Sequence, residues 1–183
     1  NLVTLDITAD TSLCEGEAYL ISANVSNGIG NYTYNWNNGL GNGAGPFLVS
    51  PLTTNNYTVA VTDVCGNSIS KSVTVNVNTN PIVNLVPQSQ TGCGEVLLSL
   101  SNNSNVPSGS LFNWNFGDNT FSNQENPSKN YTQTGIFNVA LVITTPAGCQ
   151  ANGSTTLNIV INPQAIADFE FSPEKITMLN PTV

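Results

Sequence analysis

Histidine and arginine are absent from this chain of 183 residues, and lysine occurs three times. Charged residues make up 8% of it, against about a quarter in ordinary soluble domains. Each absence excludes a class of function. Without histidine there is no Ser-His or Cys-His nucleophile pair and no imidazole base. A Ser-Lys dyad would need Lys71, Lys129 or Lys175, each in a polar stretch that reads as exposed. Three cations cannot neutralise a run of phosphates, which argues against a nucleic-acid partner, and a polybasic membrane contact fails for the same reason. No apolar run approaches the roughly 18 residues that cross a bilayer. The chain opens on the polar Asn1 without a signal peptide, so its numbering is expected to start inside a mature, longer protein. With neither histidine nor a Cys-x-x-Cys pair, the zinc spacings are missing too.

What is present is apolar content of 39%, arranged with a period of two. Tyr57-Thr-Val59-Ala-Val61 and Val73-Thr-Val75-Asn-Val77 alternate apolar with polar, as half-buried strands do. Phe137-Asn-Val139-Ala-Leu141-Val-Ile143 and Leu157-Asn-Ile159-Val-Ile161 do the same about 80 residues later. No window carries a helical period, and glycine, proline and asparagine interrupt the chain too often for one. The 29 asparagines, with serine and threonine, supply solubility where charge does not.

The two hairpins belong to an internal repeat. Cys14 matches Cys93, Trp36 matches Trp114, Tyr57 matches Phe137 and Cys65 matches Cys149, at offsets of 79, 78, 80 and 84 residues. Repeats of this length imply two β-sandwiches: 1–79 and 80–162, joined at Asn78-Thr-Asn80-Pro81. Residues 163–183 read as a second join, Asn162-Pro163, and the truncated first strand of a third module over Ala165–Phe171. Trp36, Tyr57, Trp114, Phe116, Tyr131 and Phe137 are the expected aromatic core. Four cysteines allow three pairings, and two modules with two cysteines each select Cys14–Cys65 and Cys93–Cys149. Stable disulfides place the chain in an oxidising compartment.

Phe112-Asn-Trp114-Asn-Phe116-Gly-Asp118-Asn119 resembles the signature strand of a PKD domain, roughly W-D-F-G-D-G. The resemblance continues through Ser122, Pro127, Tyr131, Gly135, Phe137, Val139, Leu141 and Gly148-Cys149, and departs at Asn115 and Asn119. Asparagine tolerates the left-handed turn that glycine serves there. Residues 1–79 are similar to the immunoglobulin-like repeat of secreted Bacteroidetes proteins, through Cys14-Glu-Gly16, Tyr34-Asn-Trp36, Thr53-Thr54, Tyr57-Thr-Val59 and Val61-Thr-Asp63-Val-Cys65-Gly66. The resemblance implies an all-β chain of non-catalytic modules. It further implies a stalk in a large gliding-motility adhesin, a type IX secretion cargo exported across the outer membrane to the cell surface. Its partners would be neighbouring modules and other surface or secretion-system proteins. The alternatives are an accessory carbohydrate- or protein-binding module of a secreted hydrolase, which an exposed aromatic row would favour, and a receptor ectodomain. No cofactor is expected, with calcium the one ligand the oxygen-rich composition suits. The candidate ligands are Asp6, Asp10, Asp118 and Asp168, with Glu15, Glu17 and Glu170 nearby. An Asx turn at Asp118 and a solvated surface elsewhere are the simpler readings. The sequons at Asn24, Asn31, Asn56, Asn102, Asn130 and Asn152 are incidental in so asparagine-rich a chain.

Overall fold

The computed structural model describes residues 3–86 and 89–168. It is all-β: fifteen strands and, among the described residues, no helix. The first half contains β1 (Thr4–Ile7), β2 (Thr11–Cys14), β3 (Tyr19–Ile21), β4 (Ala23–Ser26), β5 (Thr33–Trp36), β6 (Phe47–Val49), β7 (Asn55–Thr62) and β8 (Ser68–Asn78). One layer is the sheet β2-β8-β7-β5. The facing layer is built from the pairs β1-β4 and β3-β6.

The alternation in β7 and β8 turns Tyr57, Val59, Val61, Val73 and Val75 to one side of the sheet. They meet Leu5, Ile21, Ala23 and Val49 from the facing layer, with Trp36 on β5. Trp36 is buried, its indole N–H donating to the Gly43 carbonyl at 2.8 Å and its ring edge-on to Phe47.

The second half repeats the plan with β9 (Gln90–Cys93), β10 (Val96–Ser99), β11 (Leu111–Asn115), β12 (Phe121–Ser122), β13 (Ser128–Tyr131), β14 (Gly135–Thr144) and β15 (Gln150–Asn162). Its main sheet is β12-β11-β14-β15-β9, faced by β10-β13. Trp114, Val139, Leu141, Ile143, Leu157 and Ile159 pack against Val96, Leu98 and Tyr131 in a core that shares no residue with the first. Both hairpins predicted from period two are present, β7-β8 and β14-β15, with registers Tyr57↔Val73 and Phe137↔Leu157.

One edge was not readable from the pattern. In each half a short early strand, β2 or β9, pairs parallel to the last strand. The segment leading into β9 lies against β15, where a Cβ on Gly153 would fall 2.8 Å from a Val83 methyl. Residues 163–168 form no strand and are exposed, so the alternation starting at Ala165 does not make one there. The remainder of that expectation, Phe169 to Val183, lies outside the described residues. A strand exists only where a partner takes its backbone hydrogen bonds, and residues 163–168 have no strand partner among the described residues.

Candidate functional site

The disulfide pairing inferred from the repeat is corrected by the structure. Cys14 is bonded to Cys149, 135 residues away and in the other sandwich, with 5.5 Å between the Cα atoms. Cys65 and Cys93 are free and exposed. The reason is strand direction. Parallel pairing places Cys14 opposite Asn78, the last residue of β8, while Cys65 sits in the turn before Ser68, its first. Ten residues of strand separate them, about 33 Å. Likewise Cys93 lies opposite Asn162, at the far end of β15 from Cys149, about 40 Å away by the same rise. Neither bridge within a module can close.

The β14-β15 turn of the second sandwich instead lies against the exit end of the first. Cys149 is fully buried, with its sulfur 3.8 Å from the Asn78 carbonyl oxygen. Its amide donates to Thr145 Oγ1 at 3.2 Å. On the other side of the joint, Glu15 N–H donates to the Asn78 carbonyl at 2.9 Å. The Asn80 amide donates to the Glu15 carbonyl at 3.1 Å, and Cys14 N–H to Glu17 Oε2 at 2.8 Å. Asn78 itself is held by Ser12 Oγ and the Leu13 carbonyl. A covalent bond, a buried sulfur and a set of asparagine bonds thus close over a join of a few residues.

The repeat alignment of the two turn cysteines is also corrected. In the first turn Asp63 N–H donates to Asn67 O and Gly66 N–H to Asp63 O. In the second, Thr145 N–H donates to Cys149 O and Gly148 N–H to Thr145 O. Cys149 therefore stands where Asn67 stands, and Cys65 where Ala147 stands. The first turn is built on buried Asp63, which accepts from Cys65 N–H, Asn67 N–H and the Asn67 amide at 2.9–3.0 Å. These bonds, the Asn67 side chain foremost, hold its carboxyl below the usual range against the opposing effect of burial.

The calcium candidates are dispersed. Asp6 lies 3.5 Å from Lys71 on an exposed surface, and Asp10 accepts Thr74 N–H at 2.7 Å. Asp168 is exposed, and Glu170 lies outside the described residues. Among the described residues no three acidic or cysteine side chains converge as a metal set. Asp118 already has a cation: Lys129 Nζ lies 2.6 Å from its Oδ2, and Thr120 donates to its Oδ1 from both backbone and hydroxyl. Lys129 is not the exposed residue its polar context suggested. Its side chain is only 15% exposed, between the rings of Phe116 and Tyr131. Partial burial pushes the Asp118 carboxyl up, but the Lys129 and Thr120 hydrogen bonds outweigh it and leave it lowered. The turn that follows uses both asparagines at which the PKD signature departs. Asn115 Oδ1 accepts Gly117 N–H, and Asn119 takes a φ of 66°.

Tyr131 anchors this cluster to the core. It is buried, donates to the Phe116 carbonyl at 3.0 Å and packs on Phe137, which is partly buried, with ring centres 4.5 Å apart. Burial first, then the Asp118 charge, push its phenol up to about 12. An unfolded tyrosine ionises near 10. Because the folded value is the higher, the stability tied to the neutral phenol is intact below about pH 10 and is lost as pH rises from there toward 12. Alkaline unfolding of Tyr131→Phe should therefore be shallower over that window than that of the parent chain, as read by circular dichroism and phenolate absorbance. An equal slope in both proteins contradicts this assignment.

Against known proteins, the PKD domain family model matches residues 78–161, the second sandwich with its join. The solved PKD1 domain of Vibrio anguillarum Epp is 23% identical, over 46% of this chain and 98% of that one, with a TM-score of 0.39. The titin I-band fragment I67–I69 is similar over 87% of this chain and 66% of its own, at 16% identity and a TM-score of 0.49. A structure concerning host cell surface retention of a 1.5-MDa bacterial ice-binding adhesin covers 90% of this chain and 66% of its own, at 15% identity and a TM-score of 0.45. No curated protein matches the chain. The PKD domain family thus describes the second module, and the first module repeats its all-β plan of a main sheet faced by a smaller layer.

Proposed function

We propose that this chain is a non-catalytic, load-bearing spacer in an extracellular multi-module protein, a segment of the stalk of a large cell-surface adhesin. The gliding-motility adhesins exported by type IX secretion are the class whose repeats it resembles. The observation that carries this reading is the Cys14–Cys149 bridge. Two sandwiches on a short flexible join would bend freely, whereas a covalent bond beside the join removes most of that freedom. A disulfide also belongs to an oxidising compartment. The rival reading, an accessory module that binds polysaccharide, needs a row of exposed aromatics. Among the described residues one aromatic is exposed, Phe121, which pairs across from Asn115.

The test is the stiffness of the joint. Spin labels at Ser70 in the first sandwich and Ser154 in the second, both exposed on long strands, should give a narrow distance distribution in the oxidised chain. The distribution should broaden several-fold in Cys14→Ser. Equal widths in the two proteins would overturn the spacer reading.

A further inference from the structure

The half of the joint that receives a turn cysteine occurs twice in this chain, and only one copy is occupied. In the first sandwich it consists of Cys14 opposite Asn78 on the parallel edge, the following amide donating to the Asn78 carbonyl at 2.9 Å, and the side chain two residues beyond Asn78 reaching back to residue 15. The second sandwich reproduces the first two parts and places a side chain at the third. Cys93 lies opposite Asn162, and Gly94 N–H donates to the Asn162 carbonyl at 2.9 Å. Gln164, again two residues on, lies beside Gly94, where an added Cβ would stand 3.5 Å from its Oε1. Cys93 is exposed and free. None of the other three cysteines of these 183 residues can serve it. Cys149 is bonded and a full strand away, and Cys65 lies at the opposite end of the first sandwich.

We propose that Cys93 is the covalent docking point for a further β-sandwich module of the same polypeptide. That module would present a cysteine in the turn between its two longest strands, as Cys149 is presented to Cys14. This rests on the reading of the chain as part of an array. The occupant is fixed by the internal precedent, in which the site one module earlier is filled by such a turn. Two like chains joined through Cys93 would instead bring together two molecules that each carry a net charge of −8.

Formation needs a disulfide donor, a dithiol–disulfide oxidoreductase or a small disulfide. The Cys93 thiolate attacks one donor sulfur and expels the other as thiolate. The turn thiolate then attacks the Cys93 sulfur of the mixed disulfide and expels the second donor sulfur, so the donor disulfide ends as two thiols that have taken up two electrons and two protons.

The experiment maps the full-length protein recovered from its source cells, alkylated before lysis and digested without reductant. The expected result is a Cys93 peptide joined to the turn peptide of a later sandwich, with the Cys14–Cys149 pair beside it. In Cys93→Ser that later turn cysteine should become alkylatable while Cys14–Cys149 persists. If a later module with a turn cysteine exists and Cys93 is nevertheless alkylated, the inference fails and the array reading stands. If no such module follows, both fail. A Cys93 peptide joined to Cys93 or Cys65 of a second chain also overturns the proposal.

Discussion

Pulled from its two ends, the oxidised chain should extend only through the segments outside Cys14–Cys149, and the reduced chain should extend by about 460 Å more. The load enters before Cys14, crosses the disulfide to Cys149 and leaves along β15, so the 135-residue stretch between the two cysteines carries none of it. That stretch holds nearly all of both cores. A freed residue spans about 3.4 Å when extended, which sets the difference. Single-molecule force spectroscopy with and without reductant reads it directly. Cys149→Ser should behave as the reduced chain does, with two unfolding events because the cores are separate. The same bridge should couple the modules at equilibrium. Closing a loop of this length is worth up to about 5 kcal/mol in the chain-entropy model, comparable to the whole stability of a small domain. Full-length extension under oxidising conditions would contradict this load path.

The second large effect is at Trp114. It is 1% exposed, lies opposite Leu141 on the main sheet, and belongs with Leu141 and Ile159 to the core that faces Val96 and Leu98. Truncating an aromatic of this size in a core costs about 3–5 kcal/mol, enough to unfold a marginal sandwich. Trp114→Ala should therefore melt the second module while the first keeps its transition, since no core residue is shared. Trp114→Phe should cost much less. The indole N–H of Trp114 is buried without a hydrogen-bond partner among the described residues, so the smaller ring relieves a buried polar group even as it loses volume. Trp36→Phe loses a real bond, to Gly43, and should be the more damaging of the two aromatic replacements. Calorimetry of the reduced chain, in which the bridge no longer couples the modules, decides both points, and a single merged transition there that shifts as a whole would contradict the separateness of the two cores.

The strands and cores were legible because alternation is local: Val73-Thr-Val75 must turn both valines to the same face. The repeat was legible because two tryptophans and two hairpins recur at one spacing. The joint was not, for two reasons that lie in particular residues. The turn cysteines Cys65 and Cys149 are out of register by two residues, a shift that only the turn hydrogen bonds reveal, Asn67 standing in the place of Cys149. And nothing in a four-residue segment such as Thr11-Ser-Leu-Cys14 announces that it pairs parallel to β8, which carries Cys14 to the far end of its own sandwich. The polar neighbours of Lys129 in the sequence mask its period-two relation to Tyr131. In β13 both turn inward, and the lysine meets Asp118.

One bond carries both the rigid joint and the load path, and peptide mapping of the oxidised 183-residue chain tests it most directly. After alkylation and digestion without reductant, the Cys14 and Cys149 peptides should be recovered linked, with Cys65 and Cys93 both alkylated. Recovery of Cys14 linked to Cys65 and Cys93 linked to Cys149 would contradict it, and the rigid joint and the load path would go with it.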